Sequence, residues 1–128
     1  MGSWQKQVGD GRERIFFSLY STGHGLQVML FGGEQPHVGG VVLALPRASL
    51  ENPKKASGDY YLLPVPGHKD TVLGELVGKI LVEAFQVPIV VTAGVHSDHA
   101  TPEELDQIIK VCGQLAREAV SALRLQEK

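Results

Sequence analysis

Apolar positions along this chain recur with two different periods. "RIFFSLY" (14–20), "LQVMLF" (26–31) and "GVVLALP" (40–46) are strand-length apolar or alternating runs bounded by turn residues, and they read as three strands. "STGHG" between the first two is a glycine-rich hairpin loop. The third run is apolar almost throughout, which predicts burial on both faces, and Pro46 is expected to end it. Residues 47–59 read as an exposed loop. "YYLLPV" (60–65) reads as a short edge strand, because Pro64 has no N–H to give to a ladder.

The period then changes. Leu73, Leu76, Val77, Ile80, Leu81, Ala84 and Phe85 recur at helical spacing behind Asp70 or Thr71, either of which can cap a helix. Val72 widens that stripe and predicts burial on more than one side. Gly74 and Gly78 share one face, and each costs about 1 kcal/mol against alanine in a helix interior. A sheet or a second helix is therefore expected to approach closely there. "VPIVVTAG" (87–94) is β-branched and reads as a strand. Thr101-Pro102-Glu103-Glu104 is a capping box with proline at the first helical position, opening a last helix whose apolar stripe includes Leu105, Ile108, Ile109, Cys112 and Leu115. The order β-β-β-(β)-α-β-α predicts an α+β fold, a mostly antiparallel sheet with two main helices packed on it. Residues 1–12, polar and glycine-containing, read as a loose N-terminal segment that includes Trp4; residues 13–125 read as a single domain.

Composition narrows the classes. The chain has 128 residues, 43% hydrophobic and 20% charged, which suits one globular domain. A net charge of −2 with no basic run argues against nucleic acid as a partner. No apolar stretch reaches membrane-spanning length, and the polar N-terminus has no signal-peptide character. Cys112 is the single cysteine, so no intrachain disulfide can form; a cytoplasmic location is expected. Its place in the helix stripe points to core packing.

Fifteen glycines direct attention to the loops. Three segments share a pattern in which an extended run is followed by glycine and then histidine. They are Gly32-Gly33-Glu34-Gln35-Pro36-His37, Gly67-His68-Lys69-Asp70, and Gly94-Val95-His96-Ser97-Asp98-His99. In the first, glycine permits close backbone approach to a flat or phosphorylated ligand and Pro36 aims His37; a bulged hairpin is the plainer reading. In the second, the helix start offers unpaired N–H groups and a positive dipole, and Lys69 adds a charge, so an anion fits there. Equally, Asp70 caps the helix while His68 and Lys69 are solvated. In the third, His96, Asp98 and His99 carry metal-ligand chemistry, or form a polar loop that orders the next helix. Neither HExxH nor a cysteine set is present, so a metal would need His37, His68 and His96 gathered from separate loops. No GxSxG elbow is present. Tyr60 and Tyr61 flank a planar ligand or, more simply, point to opposite faces of a strand.

In order, "GGEQPHVGGV", "GHKD" before an apolar helix, and "VTAGVHSD" before a capped helix resemble the LpdD-like prenylated-flavin chaperones, also described as the D subunit of gallate decarboxylase. The resemblance covers roughly residues 14–123. Its anchors are Gly32, Gly33, Pro36, His37, Gly39, His68, Lys69, Asp70, Thr92, Ala93, Gly94 and His96. Asp98 and His99 depart from the family pattern and inherit no role. The resemblance implies binding, maturation or delivery of prenylated FMN for a UbiD-like aromatic acid decarboxylase, without turnover of its own. Gly32, Gly33, Pro36, His37, Gly39, His68, Lys69, Asp70, Gly94 and His96 would then form the cofactor site. Two other readings stand beside it: a small metal-dependent enzyme using His37, His68 and His96, and a non-catalytic structural subunit of a decarboxylase. A homo-oligomer is expected, because the broad stripe of the first helix exceeds what one small sheet covers.

Overall fold

In the computed structural model, which describes residues 2–67 and 69–126, both periods become elements. The strands are β1 (Ser3–Val8), β2 (Ile15–Ser21), β3 (Leu26–Gly33), β4 (Gly40–Ala48), β5 (Ala56–Pro64) and β6 (Ile89–His96); the helices are α1 (Thr71–Phe85) and α2 (Pro102–Gln126). The strands form one sheet in the order β1-β2-β3-β6-β4-β5. Every pairing is antiparallel except that of β3 with β6. The α+β class and the mostly antiparallel sheet are as expected.

Strand alternation puts Phe17, Leu19, Val28, Leu30, Ala44 and Val91 on one face, fully buried. Both helices pack there, α1 through Val77 and Leu81 and α2 through Leu115, Ala116 and Ala119. Cys112 is part of this core, and burial pushes its thiol up to about 12, which leaves it inert. Among the described residues, no helix is long and apolar enough to cross a membrane.

Four expectations about local structure are corrected. The segment expected to be loose holds edge strand β1. Only Trp4 and Val8 of β1 pack inwards, too sparse an alternation to stand out; Trp4 meets Phe17 edge-on at 5.6 Å. Pro46 does not end β4. The β6 ladder reaches only Ala44, so beyond it β4 has a single neighbour and tolerates a missing donor. The expected loop at 47–59 is mostly hairpin: residues 47–48 and 56–59 pair across β4 and β5, and Arg47 bonds Asp59 at 2.7 Å. Finally, Val72 is 57% exposed, so α1 is buried on one side only.

Gly74 and Gly78 do mark a close approach, and it is to the sheet of the same chain. A Cβ on Gly74 would lie 2.8 Å from Val42 Cγ2, and one on Gly78 3.4 Å from Ala44 Cβ. The α1 stripe is thereby covered by β4, which removes it as a reason to expect a second copy. Tyr60 packs against the core while Tyr61 is exposed, the simpler of the two arrangements expected.

The capping box forms as the sequence predicts. Thr101 N–H donates to Glu104 Oε1 and Glu104 N–H donates to Thr101 Oγ1, both at 3.1 Å. Replacing Thr101 by alanine is expected to cost about 1 kcal/mol, read by urea denaturation.

Candidate functional site

Because β6 lies between β3 and β4, the chain that joins those two strands must cross the C-terminal end of β6. That crossing is "GGEQPHVGG". Its backbone is pinned to the strand beneath: Gln35 N–H donates to the His96 carbonyl at 3.0 Å, His37 N–H to Gly94 at 3.3 Å, and Gly39 N–H to Ala93 at 2.8 Å. The contact is close enough to require glycine. A Cβ on Gly94 would fall 1.5 Å from the His37 carbonyl oxygen, and one on Gly39 would fall 1.8 Å from Asp70 Oδ2. Gly33 turns the chain at φ +76, and the space beside Gly32 is filled by the Arg14 backbone. The four glycines marked by the sequence therefore each face atoms of this same chain.

Asp70 is the junction. It stands at the N-cap position of α1 and is buried, yet its side chain makes no cap bond. Its carboxylate instead accepts the Val95 N–H at 2.9 Å and bonds His37 Nε2 at 3.0 Å. One carboxylate so ties the crossing strap, the last turn of β6 and the start of α1. The helix entry is closed by backbone carbonyls: Val72 N–H donates to Lys69 and Leu73 N–H to Asp70, at 3.2 and 3.0 Å. Fewer free amides remain there than a bare helix start would offer.

His37 is held at both ring nitrogens, Nδ1 by the Gln35 carbonyl at 2.9 Å and Nε2 by Asp70. Its ring stands 5.9 Å from that of His96, nearly perpendicular. His96 Nε2 bonds Asp98 Oδ1 at 3.1 Å. His68, the third member of the expected trio, lies outside the described residues. Among the described residues, no group of three or more His, Cys, Asp or Glu side chains could hold a metal ion.

Beside this junction lies a cavity of about 460 Å³, within the range of small-ligand pockets. Lys69, Asp70, His96 and His99 are among its polar lining groups, and Val72, Leu105 and Ile109 are among its apolar ones. Those three apolar side chains are 57%, 51% and 40% exposed, so the fold leaves them open instead of burying them. Pro36 and His37 lie elsewhere, in a shallow hollow of the opposite sheet face with Met29, Phe31 and Val38; His37 reaches the cavity only through its bond to Asp70.

Sequence reasoning weighed His99 only as a metal ligand or loop residue and missed the apolar wall. His99 takes φ +55, uncommon outside glycine, and that turn brings it to the cavity. Sequence reasoning also missed Arg12, placed in the supposedly loose segment. Its guanidinium bonds Glu104 at 3.1 Å, the Asp98 carbonyl at 2.7 Å and the Glu34 carboxylate. It clamps the strap, the β6–α2 loop and the first turn of α2 around the rim.

The Arg12 hydrogen bond holds the Glu104 carboxyl below its ordinary value of 4.5. A depressed folded-state pKa stabilises the fold fully above the unfolded value, and that contribution disappears as pH falls through the lower folded value. Glu104→Gln is expected to flatten this acid limb, seen as a smaller change in urea midpoint below pH 4.5 than in the parent protein.

Fold and geometry together define a single-sheet α+β domain with a mostly apolar pocket, lined also by Lys69, Asp70 and two histidines, at the C-terminal end of β6. The description "prenylated flavin chaperone LpdD-like domain" matches residues 9–124, and the chain belongs to this family. No curated protein sequence matches it. Among solved structures, it is similar to a chain from a chaperone complex for yeast 20S proteasome assembly, at 16% identity and a TM-score of 0.54, covering 93% of this chain and 97% of that one. At that identity the likeness concerns the fold alone.

Proposed function

We propose that this protein binds prenylated FMN, or FMN itself, in the cavity beside α1 and hands it to a UbiD-like decarboxylase without catalysing a reaction of its own. The observation that carries this reading is that Lys69 and three exposed apolar side chains line one cavity. A flavin nucleotide has matching chemistry, a flat apolar ring system and a phosphate of about −1.5 to −2 charge if it ionises like other phosphomonoesters. Val72, Leu105 and Ile109 would take the ring face. Lys69 would take the phosphate. His96 would stand at the ring edge, and His37 would act from outside the cavity by holding Asp70. The cofactor's decarboxylation chemistry would take place in the partner enzyme. Family membership and the single cysteine suit a cytoplasmic accessory protein of this kind.

The test compares FMN with riboflavin, which lacks the phosphate. Lys69→Ala is expected to weaken FMN binding by about 1.5–3 kcal/mol, the worth of a hydrogen bond to a charged group. Riboflavin affinity should stay unchanged. Fluorescence titration reads both. Equal FMN affinity in parent and variant removes Lys69 from the site, and no binding of FMN or prenylated FMN by the parent protein removes the reading.

A further inference from the structure

The loop between β6 and α2 supplies His99 and Ala100 to the cavity, and both of its ends are fixed. At one end Ser97, itself buried, accepts the Glu34 N–H at 3.1 Å and donates its hydroxyl to the Arg12 carbonyl at 3.3 Å. At the other, Thr101 is locked in the capping box. Between them, the Asp98 carbonyl accepts from Arg12 Nη2 at 2.7 Å, and the Asp98 carboxylate bonds His96. Residue 12 therefore holds this loop twice, by its backbone and by its side chain. The loop needs holding, because the left-handed φ of +55 at His99 costs a non-glycine residue free energy.

We propose that Arg12 is a positioning residue that latches this loop, and that ligand enters and leaves when the latch opens; this rests on the reading of the cavity as the flavin site. The latch is weak enough to open. Arg12 is solvent-accessible, its other partners are the Glu34 and Glu104 carboxylates, and exposed ion pairs are individually weak and screened by salt. It also has room to open. A second cavity of about 200 Å³ lies beside Arg12, lined by Glu13, Glu104 and Ile108 among others, and Ile108 lines both cavities. A guanidinium turned into that space still faces carboxylates. A latch that forms equally with and without ligand sets the rate of exchange in both directions and leaves affinity nearly unchanged.

Arg12→Gln is the test, in the full chain, with circular dichroism confirming the fold. Without ligand, backbone order parameters at Asp98, His99 and Ala100 are expected to fall from about 0.85 to below about 0.6. Arg47→Gln, which breaks the exposed pair with Asp59, should leave them unchanged. In stopped-flow fluorescence, association and dissociation rates should rise together by roughly five- to thirty-fold, the factor a contact of this modest size carries, with Kd within about twofold of the parent. Riboflavin is run beside FMN because it carries no charge, which keeps electrostatic steering out of the comparison. Arg12→Lys, whose single ammonium lacks the planar fork, should lie between parent and Arg12→Gln. If Arg12→Gln fails to fold, Glu34→Gln removes one partner and should shift every reading the same way by less. Unchanged order parameters overturn the latch, and so does a rise in dissociation alone. A parent protein that binds no flavin defeats the reading of the site instead, while loss of order at 98–100 would still show that Arg12 holds the loop.

Discussion

Gly94→Ala is expected to destabilise the protein by more than about 3 kcal/mol, enough to lower its melting temperature by roughly ten degrees or to prevent folding. The added methyl would sit 1.5 Å from the carbonyl oxygen of His37 and 2.3 Å from its carbon. Both are backbone atoms, so no rotamer change relieves the overlap. The strap can lift only by breaking its bonds from Gln35, His37 and Gly39 to the strand beneath. Gly78→Ala is the matched control. Its new methyl meets Ala44 at ordinary contact distance, and a helix interior favours alanine by about 1 kcal/mol. The control is expected to stay within about 1 kcal/mol of the parent protein. Urea denaturation of the pair separates a requirement for space from a general intolerance of glycine replacement.

Asp70→Ala is expected to cost about 2–4 kcal/mol, because it strands two donors in a largely dry junction. The Val95 amide and His37 Nε2 lose their acceptor together. Asp70→Asn keeps one carbonyl oxygen for Val95 but turns an amide NH₂ towards His37, so it should recover only part of the loss. If Asp70 were a simple helix cap, asparagine would replace it almost fully, since the two cap comparably. The ratio of the Asn and Ala effects in denaturation distinguishes a cap from a cross-element tie. Both variants should also weaken flavin binding on the proposed reading, because Asp70 itself lines the cavity and fixes the end of β6 beside it.

Much of this architecture is legible in the residues, and the failures have physical causes. The β-branched run before Gly94 and the Thr101–Glu104 box gave signals that depend only on local chemistry, and both elements formed where expected. The strand at Ser3–Val8 was not legible. An edge strand packs one face and faces solvent with the other, and this one spends only Trp4 and Val8 on the core. Gly74 and Gly78 announced a close approach without naming what approached. "GGEQPHVGG" announced an unusual backbone, and its cause is a chain crossing that depends on strand order, which no local pattern encodes. Asp70 was expected as a cap or an anion-site residue because its actual partners, His37 and the Val95 amide, lie far away in sequence. The apolar wall was hidden for a similar reason. Leu105 and Ile109 follow the helical period as faithfully as the buried Cys112 and Leu115, and only the end of the sheet leaves them uncovered.

The place of β6 also fixes when the binding cleft can come into being. Leu26 pairs with Ile89, 63 positions further on (89 − 26), whereas β2–β3 and β4–β5 are neighbours in sequence. The two hairpins can close early and locally, but the strand that joins them arrives late and must enter a gap already bounded on both sides. Long-range pairing of this kind is slow relative to hairpin closure. A chain in which residues 89–96 have not yet docked holds two separate hairpins and lacks the strand that carries Val95 and His96 to the cavity.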